Sequence, residues 1–153
     1  MEAISEYADI VDILYQVVER KELSEGALDL LTERLGSRFK LVADTAGTRL
    51  VQLSHYFPNV EQKLLELMDD NRHQIRLRVV QSIWTDSPPS ETTDEILRKA
   101  LKDKSATVRQ FAVSRIGSHR LKHFQRDISH LLQEETSEKV IAEGQYALQQ
   151  LQD

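Results

Sequence analysis

The chain contains no cysteine, so a nucleophile would have to be serine, threonine, lysine or a carboxylate. No serine comes with a histidine and an acid in a recognisable catalytic setting. There is no P-loop, no GxGxxG or GxSxG turn, no HExxH helix and no EF-hand loop. The five histidines are His55, His73, His119, His123 and His130. His119 and His123 stand four apart, the spacing that puts two imidazoles on one helix face for a metal. Their segment, GSHRLKH, reads instead as a junction between helices. The expectation is a non-enzyme with no catalytic residue, no metal and no cofactor.

Charge is the chemistry the sequence does concentrate. Arg115, His119, Arg120, Lys122, His123 and Arg126 cluster in one short stretch, and Arg72, His73, Arg76 and Arg78 form an earlier group. Residues 1–33 carry nine acids against two bases, residues 34–126 seventeen bases against ten acids, and residues 127–153 six acids against one lysine. A basic middle between acidic ends can mark an anionic partner. Arg72, Arg78, Arg115, Arg120, Lys122 and Arg126 are the cations that a phosphate-following stripe would use. The net charge of −5 argues against nucleic acid as the main partner.

These side chains must be held by helices. DKSATVRQFAVSRI, from Asp103 to Ile116, reads as a helix end, a tight turn and a second helix, and DNRHQIRLRVVQSI, from Asp70 to Ile83, repeats it 33 residues earlier. A period of that length with helical spacing inside it marks stacked helical hairpins. On this period the chain is one domain over residues 1–153: a cap helix in 1–22, then hairpins in 24–56, 57–89, 90–122 and 123–153.

The expected cap helix runs from Ile4 to about Arg20. Tyr7, Ile10, Val11, Leu14, Tyr15 and Val18 make its apolar stripe, with acids on the other face. Ser24 caps the next helix, which stops at Gly36. A helix follows over Arg38 to Tyr56, with Gly47 weakening its middle. Pro58 restarts the chain with Asn59 as a cap. Thr85 to Glu95 is a loop closed by Pro88 and Pro89, and Ser90, Thr92 or Thr93 caps what comes after. The last hairpin pairs helices near His123–Glu134 and Ser137–Leu151. No apolar run approaches the roughly 20 residues of a membrane span. The acidic opening lacks the basic region of a secretory signal. A soluble, cytoplasmic protein is expected.

An aspartate at the inter-helix turn, an apolar residue five on and an arginine six on occur in Asp70…Ile75-Arg76 and in Asp103…Val108-Arg109. This pattern resembles the HEAT repeat, of the wider armadillo-type class, over residues 58–118. The outer hairpins depart from it: Ser37 and Ala43 replace the aspartate and arginine in the first, Glu135 and Ile141 in the last. The resemblance implies an all-α chain, a right-handed α-α superhelix of about four hairpins behind the cap helix. It implies that Asp70, Arg76, Asp103 and Arg109 form a structural ladder between successive hairpins, and that second helices line a concave face.

On that face Gln74, Arg78, Gln81, Trp84, Phe111, Ser114, Arg115 and Tyr146 are the candidate partner-binding residues. Trp, Tyr and Arg dominate interface hot spots. Trp84 could equally fill the core against the Pro88-Pro89 loop, and Phe111 could pack between hairpins. The leading expectation is a non-catalytic module that grips a protein or peptide, as a scaffold, an adaptor or an inhibitor of the immunity-protein kind. Nucleic-acid binding through the basic stripe is the alternative. Some HEAT-repeat enzymes hold iron with His-Glu pairs, and this chain has no His-Glu dipeptide. A bilin-lyase-like enzyme or chromophore chaperone rests on fold analogy alone. The sequence leaves the oligomeric state open.

Overall fold

A computed structural model of the chain describes residues 1–84 and 87–153. Thr85 and Asp86, which open the expected loop, lie outside the described residues. All regular structure among the described residues is helical: α1 (Glu2–Arg20), α2 (Glu25–Leu35), α3 (Lys40–Ser54), α4 (Pro58–Leu67), α5 (His73–Gln81), α6 (Glu91–Leu101), α7 (Ala106–Ser118), a 3-10 turn (Lys122–Phe124), α8 (Gln125–Glu134) and α9 (Glu138–Gln152). The chain divides into two compact units, Met1–Leu64 and Leu65–Asp153, with the boundary inside α4.

In the first unit, α1 packs on α2 and α3. Leu28, Leu31 and Leu35 of α2 and Val42, Ala43, Ala46 and Leu50 of α3 are buried. Ser24 starts α2 by accepting the Ala27 N–H at 3.1 Å, which satisfies one of the donors a helix start leaves open. α3 begins two residues later than expected, because the Ser37 hydroxyl accepts the Phe39 N–H at 3.1 Å and holds the chain in a turn. It then runs unbroken through Gly47, which is buried. Asn59 does not cap α4. It lies within the helix, and its Nδ2 donates to Glu25 Oε1 at 3.3 Å.

The apolar stripe expected on α1 is the main correction. The buried residues of this helix are Ile10 and Ile13. Ile13 was not part of the expected stripe, and Tyr7, Val11, Tyr15 and Val18 of that stripe are exposed. The acids fasten the helix instead: Asp9 accepts Arg34 Nη2 at 2.7 Å, Glu6 accepts the Ser37 hydroxyl, and Glu2 pairs with Arg38.

In the second unit, α5, α7 and α9 form a row, α5 beside α7 and α7 beside α9. α6 packs on α5 and α7, and α8 on α9 and α6. The row is parallel. Arg76, near the start of α5, bonds Asp103 just before α7, and Arg115, near the end of α7, bonds the Gln81 carbonyl at the end of α5. Val79, Val80, Val108, Ala112, Val113, Ile116, Val140 and Ala147 are buried.

Small residues let α7 and α9 approach. A Cβ placed on Gly117 would lie 3.0 Å from Ala147 Cβ and 3.1 Å from its Cα. Ser90 is the cap of α6 and closes a reciprocal box: it accepts the Thr93 N–H at 3.1 Å, while the Thr93 hydroxyl accepts the Ser90 N–H at 3.0 Å. After α7 the chain turns through Arg120 at φ 52°, and the 3-10 turn seats Phe124 in the core. The helix expected from His123 therefore starts at Gln125.

Candidate functional site

Arg76 is only 3% exposed. Its Nε and Nη2 donate to the two carboxylate oxygens of Asp103 at 2.6 and 3.0 Å, and its Nη1 donates to the Asp70 carbonyl at 2.6 Å. Arg109 repeats the arrangement one hairpin on. Nε and Nη2 donate to Glu135 at 2.7 and 2.9 Å, and Nη1 donates to the Asp103 carbonyl at 2.7 Å. Each arginine thus clamps the turn ahead and ties back to the turn from which its own helix starts. The paired oxygens and planar guanidinium make these bidentate, charge-assisted bonds.

The acids respond accordingly. Burial pushes the Asp103 carboxyl up, but Arg76 and the Ser105 N–H outweigh it and leave the group below its ordinary value. Arg109 holds Glu135 down at about 2, aided by the N–H groups of Ser137 and Thr136. The Asp70 carboxylate does not pair with Arg76. It accepts Arg72 Nε and Nη2 at 3.0 and 2.9 Å and is held at about 2, chiefly by that pair. The residue 33 positions before Arg76 is Ala43, which offers no cation. Glu135, which the sequence pattern marks only as a departure, completes the second clamp. Its spacing of 32 residues from Asp103 was the available signal.

The candidate binding residues are carried by the row. Gln74 and Arg78 sit on α5, Phe111, Ser114 and Arg115 on α7, and Tyr146 on α9. Gln81, Trp84 and Arg115 are brought into one cluster. Arg115 Nη2 donates to the Gln81 carbonyl at 2.8 Å, and its guanidinium carbon lies 5.0 Å from the Trp84 ring centroid. A cation against an aromatic face is attracted by the ring quadrupole, which holds both groups in place. Desolvation lowers the pKa of Arg115. Trp84 does not fill the core: it is 44% exposed, and Tyr146 is 57% exposed. Phe111 and Ser114 are half-buried, Gln74 is exposed, and Arg78 and Gln81 are half-buried.

Arg72 stands apart from the other cations of the expected basic stripe. Arg72 precedes α5, whereas Arg120, Lys122 and Arg126 follow α7 and are exposed. The two helices run the same way, and the 13 residues of α7 span about 20 Å. Arg72 and the Lys122 group therefore sit at opposite ends of the row. Arg78 and Arg115 lie in the last turns of α5 and α7, toward the Lys122 group, and Arg115 stands against Trp84.

His119 closes α7, and His123 lies in the 3-10 turn with Nε2 2.7 Å from Asp94 Oδ2, so the two do not share a helix. Among the described residues no three acidic or histidine side chains are grouped to hold a metal ion. Among them no helix is long and apolar enough to cross a membrane. Comparison with known proteins finds no family model and no curated protein that matches the chain.

Proposed function

We propose that the chain is a HEAT-like helical-repeat module, non-catalytic, that binds another protein or peptide through side chains of α5, α7 and α9 and through Trp84, just beyond α5. The reading is supported by the parallel row of those helices and by the two arginine–acid clamps that space them. The observation that carries it is the Trp84–Arg115 stack, a large aromatic half in solvent but already held in one position. A side chain ordered before binding loses little entropy on contact, which is the condition for an interface anchor. Tyr146 supplies a second exposed aromatic. Scaffold, adaptor and inhibitor roles all fit such a surface.

The test is capture from nuclease-treated lysate of the native cells, with a Trp84→Ala/Tyr146→Ala variant beside the wild-type chain. A discrete protein retained by the wild type should be lost by the variant at unchanged melting temperature, and its purified form should bind the variant at least about tenfold more weakly. Identical retention by both proteins would overturn the proposal. Capture of nucleic acid alone when nuclease is omitted, falling steeply with salt, would also overturn it.

A further inference from the structure

The exposed side of α1 is a regular feature. Ile4, Tyr7, Val11, Tyr15 and Val18 are spaced three, four, four and three residues apart, so they form one line along the helix. All five are exposed, from 39% at Tyr7 to 76% at Val18. The helix already buries Ile10 and Ile13 on α2 and α3. It therefore carries apolar residues on two sides while only one is covered. Soluble monomers rarely leave so continuous an apolar strip in water.

We infer that this strip is covered by the same strip of a second copy of the chain, in an antiparallel α1–α1 pair with a two-fold axis at Val11. The spacing reads the same in both directions from Val11. A two-fold there sets Ile4 against Val18 of the other copy, Tyr7 against Tyr15, and Val11 against itself. Self-complementarity of this kind is what an isologous interface requires. It matches β-branched with β-branched residues and ring with ring.

The area suits a weak contact. The five exposed side chains offer roughly 600 Å² per copy, so a pair covers at most about 1,200 Å², the lower edge of a standard interface. A contact of this size gives a weak dimer whose population depends on concentration.

Charge sets the sign of the salt response. Asp12 follows the axis residue and edges the strip, so the two copies bring their Asp12 carboxylates to the same edge. Salt screens that repulsion and strengthens the pair. A basic partner on the strip would respond in the opposite direction.

The test is sedimentation of the full chain across a concentration series. The mass should rise from 17.6 kDa toward twice that value, and more readily at high salt. Val11→Glu places like charges on the axis and should weaken the dimer at least about a hundredfold. Val11 is exposed and glutamate is the better helix former, so the monomer should keep its helicity and melting temperature. Because the chain has no cysteine, Val11→Cys should oxidise to a disulfide-linked dimer, whereas Gln16→Cys, off the strip, should not. A wild-type chain that stays at 17.6 kDa at the highest attainable concentration would overturn the inference. So would a Val11→Glu chain that dimerises like the wild type, or equal crosslinking at positions 11 and 16.

Discussion

At the scale of the residue, the clamps decide what is costly to change. Asp103→Ala leaves the Arg76 guanidinium buried without its carboxylate, a loss of about 3–5 kcal/mol. That should lower the melting temperature of the second unit by more than about 10 °C, read by near-UV circular dichroism. Asp70→Ala, by contrast, releases an arginine that lies on the surface, and should cost a small fraction of that. Acid should act through the same groups. Glu135 sits at about 2 in the folded chain against an ordinary 4.5, so its contribution is complete above pH 4.5 and is lost as pH falls toward 2. The shift corresponds to roughly 3 kcal/mol. Asp103, also lowered, works in the same direction. Glu135→Gln should flatten this acid limb in a urea–pH stability series while lowering stability at neutral pH. Much of this pairing was legible in the sequence, because a fixed period brings the arginine of one hairpin to the turn of the next. Asp70 was misread because Arg72, two residues away, reaches it locally. The setting of Trp84 was not legible, since residue type does not say which way a ring faces.

At the scale of the element, the fold depends on where helices start and how closely they pass. Ser90→Ala removes the acceptor of the Thr93 N–H and should cost about 1 kcal/mol. Gly117→Ala sets a methyl against the backbone of Ala147 and should destabilise by about 1–2 kcal/mol despite the gain in helix propensity. Gly26 faces open space, so Gly26→Ala should stabilise by about 0.5–1 kcal/mol. Chemical denaturation of the three variants checks the order. The starts of α2 and α6 were readable from Ser24 and Ser90, whose hydroxyls have a mechanical role there. The buried side of α1 was not. Residues 10, 13, 14 and 17 and residues 4, 7, 11, 15 and 18 both satisfy helical spacing, and only the neighbouring helices choose between them.

At the scale of the whole molecule, charge counts overstate the available cations. Many bases of the middle stretch are held by nearby acids: Arg72 by Asp70, Arg76 by Asp103, Lys99 by Asp69 and Arg109 by Glu135. With a net charge of −5, the chain should bind an anion exchanger at pH 7 and pass through a cation exchanger. Binding to a short DNA duplex should be weaker than about 10⁻⁴ M at physiological salt, measured by fluorescence anisotropy. The uneven charge was plain in the sequence. Three of these four pairs join residues 26 to 30 positions apart, which composition does not encode.

Both clamps in the second unit point one way, with the arginine behind and the acid ahead. The helix that would carry the next arginine, α9, has Ile141 at that position, so the relay ends there. This fixes where the unit parts under load. A pull on its C-terminal side draws Glu135 away from Arg109, and the arginine stays seated on the Asp103 carbonyl, able to recapture the hairpin when tension drops. A pull on the α5 side draws Arg76 away from Asp103 in the same way, and its guanidinium stays seated on the Asp70 carbonyl of its own turn. Under tension each hairpin should therefore part from the next at its paired carboxylate–guanidinium bonds, with the arginine still positioned on its own turn to re-engage.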